Sequence, residues 1–180
     1  IVDIDAGAAR ILHEAKYSSR DFSGLSPIVQ RFRAAIDVVP ERACYGLAGP
    51  VIDQRCHASN LPWHLDGRDT ARETGIAATT LINDFDAVGY GVARLGPADI
   101  VTLQRGHHRP MGPIALIGAG TGLGQGFLLW NGERYRAFGS EGGHVAFAAR
   151  NSLEWGLVEF LNAEFKRTSY ERVLSGSGLA

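Results

Sequence analysis

The clearest pattern along the chain is a short apolar run, residues 114–117, that breaks into glycine at alternate positions from 118 to 124. Such a run predicts a buried strand, and the glycines predict a turn after it. Two further runs, residues 125–130 and 133–138, flank Asn131-Gly132. Asn-Gly between two such runs is a strong hairpin signal. The pattern therefore predicts that the glycine turn joins one strand to another.

Helices are predicted where apolar residues recur on one face behind a capping residue. Ser26 and Pro27 begin one such segment, as N-cap and first helical residue, and Asp66 caps a second segment that runs to Glu73. Two more helices follow Asp84 and Asn151, and their inward residues are expected to be Val88 and Val92 in the first and Leu153, Leu157, Leu161 and Phe165 in the second.

Strands are predicted in the stretches between these helices. Residues 1–3 resemble the end of a strand, residues 5–8 have turn chemistry, and a returning strand falls within residues 10–17. The other predicted strands cover residues 43–48, 51–58, 79–82 and 100–103.

Composition and charge narrow the function classes. The chain has 180 residues, of which 45% are hydrophobic and 21% are charged, as in an ordinary globular protein. Its formal net charge of -1 gives no electrostatic reason to expect nucleic acid or an anionic membrane as a partner. No apolar run approaches the length of a membrane span. Cys44 and Cys56 have no metal-ligand spacing, so we expect a reduced, cytoplasmic chain with no protein-bound metal.

The glycine turn has two interpretations on pattern alone. Glycines let successive backbone N–H groups face one bound anion, which favours a phosphate-binding loop with Thr121 as its hydroxyl. A tight β-turn explains the same residues equally well. A dinucleotide fold needs G-x-G-x-x-G before a helix, but the third position falls on Leu123 or Gln125. The spacing and the hairpin therefore exclude a nucleotide-linked dehydrogenase, and the absence of a following lysine excludes a P-loop.

Several polar residues stand at strand ends and turns, and each has a simpler structural explanation. Asn83 and Asp84 follow an apolar strand, where they could cap a helix or face a ligand crevice. Glu141 and His144 lie in a Gly-Gly turn that could be merely solvated, and Glu171 alone could be an exposed helix charge. Together they suit phosphoryl transfer to a polyol, in which a carboxylate orients a hydroxyl and takes its proton.

Four segments, taken in chain order, closely resemble one known family. They read L-I-N-D-F at 81–85, I-G-A-G-T-G-L-G at 117–124, E-G-G-H-V at 141–145 and E-R-V-L-S-G at 171–176. The family is the bacterial ATP-dependent glucokinases, of the sugar kinase and actin-like ATPase superfamily. S-N-L-P-W at 59–63 is also similar to that family, and the resemblance covers essentially the whole chain.

The resemblance implies a role for each matching residue. Asp84 would be the general base on the 6-hydroxyl of glucose, and Asn83, Glu141, His144 and Glu171 would hold the sugar. The implied nucleotide-binding residues are Gly118, Gly120, Thr121 and Gly122, facing the phosphates of ATP with Mg²⁺. A homodimer is also implied. A non-catalytic sugar sensor of the same fold is the alternative, although a pure binder could use Asn in place of Asp84.

The implied fold is α/β, with two ribonuclease H-like domains closing over a cleft. The small domain would occupy residues 1–112, lacking its first strand, and residues 113–180 would begin the large domain. The family's Asp-x-Gly-Gly-Thr phosphate loop is expected before Ile1, and its adenine-binding segment and final helix after Ala180. We therefore expect a chain that is truncated at both ends and has weak or absent activity by itself.

Overall fold

A computed structural model describes residues 1–5, 8–176 and 178–179. The chain divides into two compact units, Ile1–Asp84 and Phe85–Ala180, called here the first and second units. The domain boundary near Gly112, which the family resemblance implies, stays a prediction. The two units describe only how the residues of this chain pack.

The first unit is built around two parallel strands, β3 (Arg42–Leu47) and β7 (Ala78–Asn83). Their register pairs Leu47 with Asn83, so both strands end at the same edge of the sheet. The core beneath them consists of Leu47, Cys56 and Leu81. Because parallel strands need a long crossover, the segment between them has room for further elements. These are β4 (Val51–Ile52), β5 (Arg55–His57), β6 (His64–Asp66) and α2 (Gly67–Thr74).

The segment before β3 forms a hairpin and a helix. β1 (Val2–Asp5) pairs antiparallel with β2 (Ala8–Ile11), so the returning strand both begins and ends before the predicted residues 10–17. Ala6 and Gly7, in the predicted turn, lie outside the described residues. α1 spans Leu25–Arg33.

The predicted start of α1 was wrong. Gly24 is the N-cap, and Ser26 lies buried inside the first turn. Pro27 is tolerated there because amides of the first turn have no carbonyl partner within the helix.

The predicted cap of α2 is confirmed. The Asp66 carboxylate accepts hydrogen bonds from the backbone N–H groups of Arg68, at 2.8 Å, and Asp69. Arg55 Nε donates to the other Asp66 oxygen at 2.8 Å. The Arg55 hydrogen bond is the largest reason that the pKa of Asp66 is lowered, followed by the Arg68 amide.

The second unit contains an antiparallel meander. Its strands are β8 (Ile114–Ala119), β9 (Leu123–Trp130) and β10 (Tyr135–Ser140). Both sequence predictions for this region are confirmed, because the glycine turn joins β8 to β9 and Asn131-Gly132 lies between β9 and β10. Gly132 has a φ of 100°, and the Asn131 side chain accepts from two backbone amides of the turn.

α3 (Asp84–Val92) packs on this sheet through a face that periodicity did not predict. Gly89 is buried, and a Cβ there would lie 2.9 Å from the Ala137 Cβ. Val88 and Val92, expected to face inward, are 50% and 36% exposed. The prediction was wrong because the helix approaches the sheet so closely that a glycine forms the contact.

A predicted strand at residues 100–103 is also wrong. The segment lies outside the described sheets, and Val101 and Leu103 are 85% and 95% exposed. A strand needs a partner for its backbone groups, and β propensity alone does not provide one.

The last elements are α4 (Ser152–Phe165) and α5 (Tyr170–Leu174). Asn151 caps α4 as predicted, accepting from the Glu154 amide at 2.9 Å. The Glu154 carboxylate accepts a hydrogen bond from the Arg150 amide and not from the amide of the cap residue. The expected inward face of α4 is not buried in this chain, and Leu153 is 83% exposed. No helix in the described part of the chain has the length and apolar character to cross a bilayer.

The packing of α3 predicts opposite effects for two glycines of one helix. Gly89→Ala should destabilise the protein by about 1–3 kcal/mol, because the new methyl group meets Ala137 and Leu116. Gly91→Ala should instead stabilise it by about 0.5–1 kcal/mol, since no described atom lies within 4 Å of that Cβ position. Urea unfolding measures both changes, and equal effects would show that the close approach is wrong.

The Asp66 interactions predict a pH dependence. Folding lowers the pKa of this carboxyl from 3.8, so its stabilising effect is present at neutral pH and is lost as the pH falls through the folded value. Asp66→Asn keeps a capping side chain but removes the charge. The variant should be less stable near neutral pH and should lose less stability on acidification, measured by urea unfolding at stepped pH. An acid profile parallel to that of the wild type would contradict this.

Candidate active site

The candidate base Asp84 and the candidate sugar ligand Asn83 lie where β7 ends. Asn83 is the last residue of this strand, and Asp84 is the exposed first residue of α3. The Asn83 amide nitrogen donates to the Gly49 carbonyl at 3.0 Å. Gly49 has a φ of 144°, and a Cβ there would lie 2.6 Å from the His57 carbonyl oxygen. The turn after β3 is therefore fixed against the end of β7, as expected for a site at the carboxyl edge of parallel strands.

The Asp84 carboxylate affects the pKa of a buried thiol in the core of the first unit. Burial raises the pKa of the Cys56 thiol, and the Asp84 carboxylate raises it further. Cys56 is 4% exposed. Asp84 therefore stands close to the core while its side chain remains accessible from outside.

The family-like S-N-L-P-W segment borders the same edge of the first unit. The Ser59 amide donates to the Ala48 carbonyl at 2.8 Å, and the Ala58 amide donates to the Trp63 carbonyl at 3.1 Å. Trp63 is buried and anchors the loop. The loop and Pro50 line an open cavity of about 590 Å³.

The glycine turn of the second unit is compact and exposed. The Gly120 amide donates to the Gly122 carbonyl at 2.8 Å, which closes the turn. Thr121 is exposed, and no described atom lies within 4 Å of the position that a Gly120 Cβ would take. The turn therefore leaves open space at its tip, although the Gly120 amide is already used within it.

The other sugar-binding candidates meet in the second unit. His144 Nε2 lies 3.4 Å from a Glu141 carboxylate oxygen, and His144 Nδ1 lies 3.6 Å from Glu171 Oε1. Glu141 is the N-cap and His144 the last residue of a single 3-10 turn, whereas Glu171 comes from α5. Two carboxylates and an imidazole so arranged can accept and donate hydrogen bonds to neighbouring hydroxyls of a polyol.

Glycine brings the Glu141–His144 turn close to β9. A Cβ at Gly143 would lie 2.2 Å from the Leu123 carbonyl oxygen. Arg167 Nη2 donates to the His144 carbonyl and holds the other side of the turn. The Gly-Gly pair thus has a packing role that the sequence interpretation as a solvated turn did not include.

Sequence reasoning missed the contacts between α5 and the glycine turn. The Leu123 amide donates to Glu171 Oε2 at 3.0 Å, and the Gly176 amide donates to the Gly120 carbonyl at 2.8 Å. The E-R-V-L-S-G segment contained the signal, since it carries both Glu171 and Gly176. Its pattern did not indicate which backbone groups these residues would meet.

The candidates thus form two sets. Asn83 and Asp84 belong to the first unit, and Glu141, His144 and Glu171 lie beside the glycine turn in the second. Gly118 lies within β8 and packs against Phe85, whose Cε2 is 3.0 Å from the Cβ position. Among the described residues no cluster of three or more His, Cys, Asp or Glu side chains is suited to hold a metal.

Comparison with known proteins identifies one family. The family model named Glucokinase matches residues 1–180. A glucokinase of Nostoc sp. is 49% identical over 172 residues, which cover 93% of this chain and 50% of that protein. The chain therefore spans about half the length of this relative.

Solved structures confirm the α/β fold and its likeness to sugar kinases. The crystal structure of a glucokinase from an Antarctic psychrotroph matches with a TM-score of 0.82 at 30% identity, covering all of this chain and 57% of that one. A Balamuthia mandrillaris glucokinase in complex with glucose matches with a TM-score of 0.63 at 24% identity, covering 85% and 48%. The second likeness is one of fold alone.

Cys56 provides a reporter for the charge on Asp84. In a Cys44→Ser background, Asp84→Asn should lower the pKa of the Cys56 thiol, because it removes a nearby negative charge. The pKa should remain above its ordinary value, since burial is the larger cause. The thiolate's ultraviolet absorbance against pH measures the shift.

Asp69→Asn, on the exposed face of α2, is the matched control and should leave the Cys56 titration unchanged. An identical Cys56 titration in the Asp84→Asn variant would show that the Asp84 carboxylate does not act on this thiol.

Proposed function

The chain belongs to the glucokinase family, and we propose that it supplies the sugar-binding residues and a phosphate-binding turn of an ATP-dependent glucokinase. The proposed reaction transfers the γ-phosphoryl group of ATP to the 6-hydroxyl of glucose, as the entry step of glycolysis. The relatives' shared name supports the reaction and the sugar. The residue roles are those that the family resemblance implies, and the contacts described above support the grouping of the sugar ligands.

The observation that carries the proposal is the meeting of Glu141, His144 and Glu171 beside the glycine turn. Glu171 lies 27 residues beyond His144 in the sequence, yet His144 is within 3.6 Å of both the neighbouring Glu141 carboxylate and the distant Glu171 carboxylate. Such a group binds neighbouring sugar hydroxyls, because ionised carboxylates accept several hydrogen bonds and imidazole can donate or accept. An adjacent phosphate-binding turn is what transfer to a sugar hydroxyl requires, since the reaction depends mainly on positioning.

Asp84 is proposed as the general base, with Asn83 as a further sugar ligand. The Asp84 carboxylate accepts the hydrogen bond of the 6-hydroxyl and orients its oxygen toward the γ-phosphorus. As the bond from this oxygen to phosphorus forms, the bond from phosphorus to the bridging oxygen breaks and ADP leaves. The hydroxyl proton passes to Asp84 late in the transfer.

The glycine turn is proposed to bind the ATP phosphates. Its exposed tip and the open space at Gly120 fit a bulky anion. Because the Gly120 amide is used within the turn, the proposed donors are the amides of Thr121 and Gly122 and the Thr121 hydroxyl. The nucleotide-binding role of Gly118 stays a prediction. Mg²⁺ would neutralise the phosphates, held mainly by phosphate and water oxygens.

The cytoplasm is the proposed location. Cys44 and Cys56 are free thiols in the structure, which suits a reducing compartment. The homodimer expected from the family resemblance stays a prediction.

Replacement of the base tests the proposed reaction. Asp84→Asn should lower kcat by about 10²- to 10⁴-fold, because proton removal is lost, while glucose affinity changes little. A coupled assay with glucose, ATP and Mg²⁺ measures turnover in the full-length gene product, and calorimetry measures glucose binding. Asp69→Asn is the control and should leave both unchanged.

The calorimetric measurement of glucose binding also separates a kinase from a sugar sensor. A kinase loses turnover and keeps glucose binding in the Asp84→Asn variant. A wild-type protein that binds glucose without any turnover would be the sensor, and a folded protein that binds no glucose would contradict the sugar assignment.

A further inference from the structure

α5 contacts both ends of the glycine turn. At one end the Gly176 amide, just beyond the helix, donates to the Gly120 carbonyl at 2.8 Å. At the other end the Leu123 amide donates to Glu171 Oε2 at 3.0 Å. One bond involves Glu171, the second residue of α5, and the other involves Gly176, two residues beyond its last residue. These two hydrogen bonds, Gly176 to Gly120 and Leu123 to Glu171, are called here the staple. They fix the glycine turn to α5, so the turn is not held by its own strands alone.

Glycine makes this approach possible. A Cβ at Gly122 would lie 2.5 Å from Glu171 Oε2, which is closer than any real contact. A larger residue would push the carboxylate away from the Leu123 amide. A Cβ at Gly176 would lie 3.1 Å from the Gly120 carbonyl oxygen, so the second bond also depends on a small residue.

α5 itself is well anchored. Ser175, at its end, is 1% exposed, and its amide donates to the Glu171 carbonyl at 3.0 Å. At its start, Ser169 is buried and accepts from the Arg172 amide at 3.3 Å. The Tyr170 amide donates to the Val145 carbonyl at 3.0 Å, which ties the start of the helix to the segment that follows the Glu141–His144 turn.

One carboxylate is shared between two groups. Glu171 Oε2 accepts from the Leu123 amide, while Oε1 faces His144 Nδ1 at 3.6 Å. A hydrogen bond from a backbone amide to an ionised carboxylate is stronger than one between neutral groups. Whatever changes the position or the hydrogen bonding of Glu171 therefore acts directly on the backbone at the end of the glycine turn.

We infer that Glu171 is a positioning residue for the glycine turn and couples occupancy of the sugar site to the shape of the phosphate site. The coupling to substrates rests on the proposed function, but the staple itself does not. A sugar hydroxyl that donates to Glu171 competes with, or reinforces, its hold on the Leu123 amide. By thermodynamic reciprocity, a phosphate in the turn then changes sugar affinity by the same factor.

Amide hydrogen exchange tests the staple without any substrate. Glu171→Ala should speed exchange at the Leu123 amide by about tenfold or more, because a hydrogen bond to a charged group is removed. Glu171→Gln retains an acceptor oxygen and should recover much of the protection. Glu141→Gln is the matched control, since that carboxylate faces the same histidine without touching the turn, and it should leave Leu123 unchanged.

A second control separates the staple from general loosening. Asn151→Ala removes the cap of α4 at a distance from the turn in sequence and should destabilise the unit without singling out Leu123. Unchanged Leu123 exchange in Glu171→Ala, or an equal increase in the Asn151→Ala variant, would overturn the inference.

Nucleotide affinity in the absence of sugar tests the consequence for function. Glu171→Ala should weaken binding of ATP with Mg²⁺ by about fivefold or more, the lower end of usual coupling factors, whereas Glu141→Gln should not. A residue that served only as a sugar ligand would leave this affinity unchanged, and that result would overturn the coupling. If the wild type binds neither glucose nor ATP while the exchange effect remains, the proposed function fails and the staple stands.

Discussion

Close approach of backbone segments around β9 is the constraint on which the second unit depends. Gly143 brings the Glu141–His144 turn against the Leu123 carbonyl, and Gly122 admits the Glu171 carboxylate. Gly124 makes room for the Phe85 ring, which would lie 2.4 Å from a Cβ at that position. A methyl group at Gly143 would meet backbone, whereas one at Gly122 or Gly124 would displace the Glu171 carboxylate or the Phe85 ring. The positions of the candidate side chains in this unit thus depend on the absence of a Cβ at the neighbouring glycines.

In the first unit, the sheet itself positions the candidate residues Asn83 and Asp84. β3 and β7 run parallel, so their carboxyl ends lie together, and Asn83 is fixed by a hydrogen bond to the turn after β3. The buried residues Leu47 and Leu81 of these two strands belong to one core cluster with Cys56. Asp84 gains exposure because it follows directly on the buried strand. A carboxylate at this place is accessible to a ligand while the strand that precedes it contributes Leu81 to the core.

The errors of the sequence predictions share one physical origin. Residues 100–103 have strand-forming side chains but lie outside the sheets of the described chain, and Val88 and Val92 have helical spacing but are 50% and 36% exposed. In each case the local pattern was present and the neighbouring surface decided otherwise. Ser26 illustrates the same point at short range, because Gly24 begins α1 first and leaves the serine buried.

The sequence alone determined the elements that depend on neighbours a few residues away: the Asn131-Gly132 hairpin, the Asp66 and Asn151 caps and the strand-to-strand glycine turn. It also determined the family, since the four motifs follow in order along the chain. Only the tertiary structure decided that Glu171 meets both His144 and the Leu123 amide, and that Gly176 reaches the turn. Such contacts join residues far apart in sequence, and they depend on the packing of strands and helices, which local periodicity and capping do not encode.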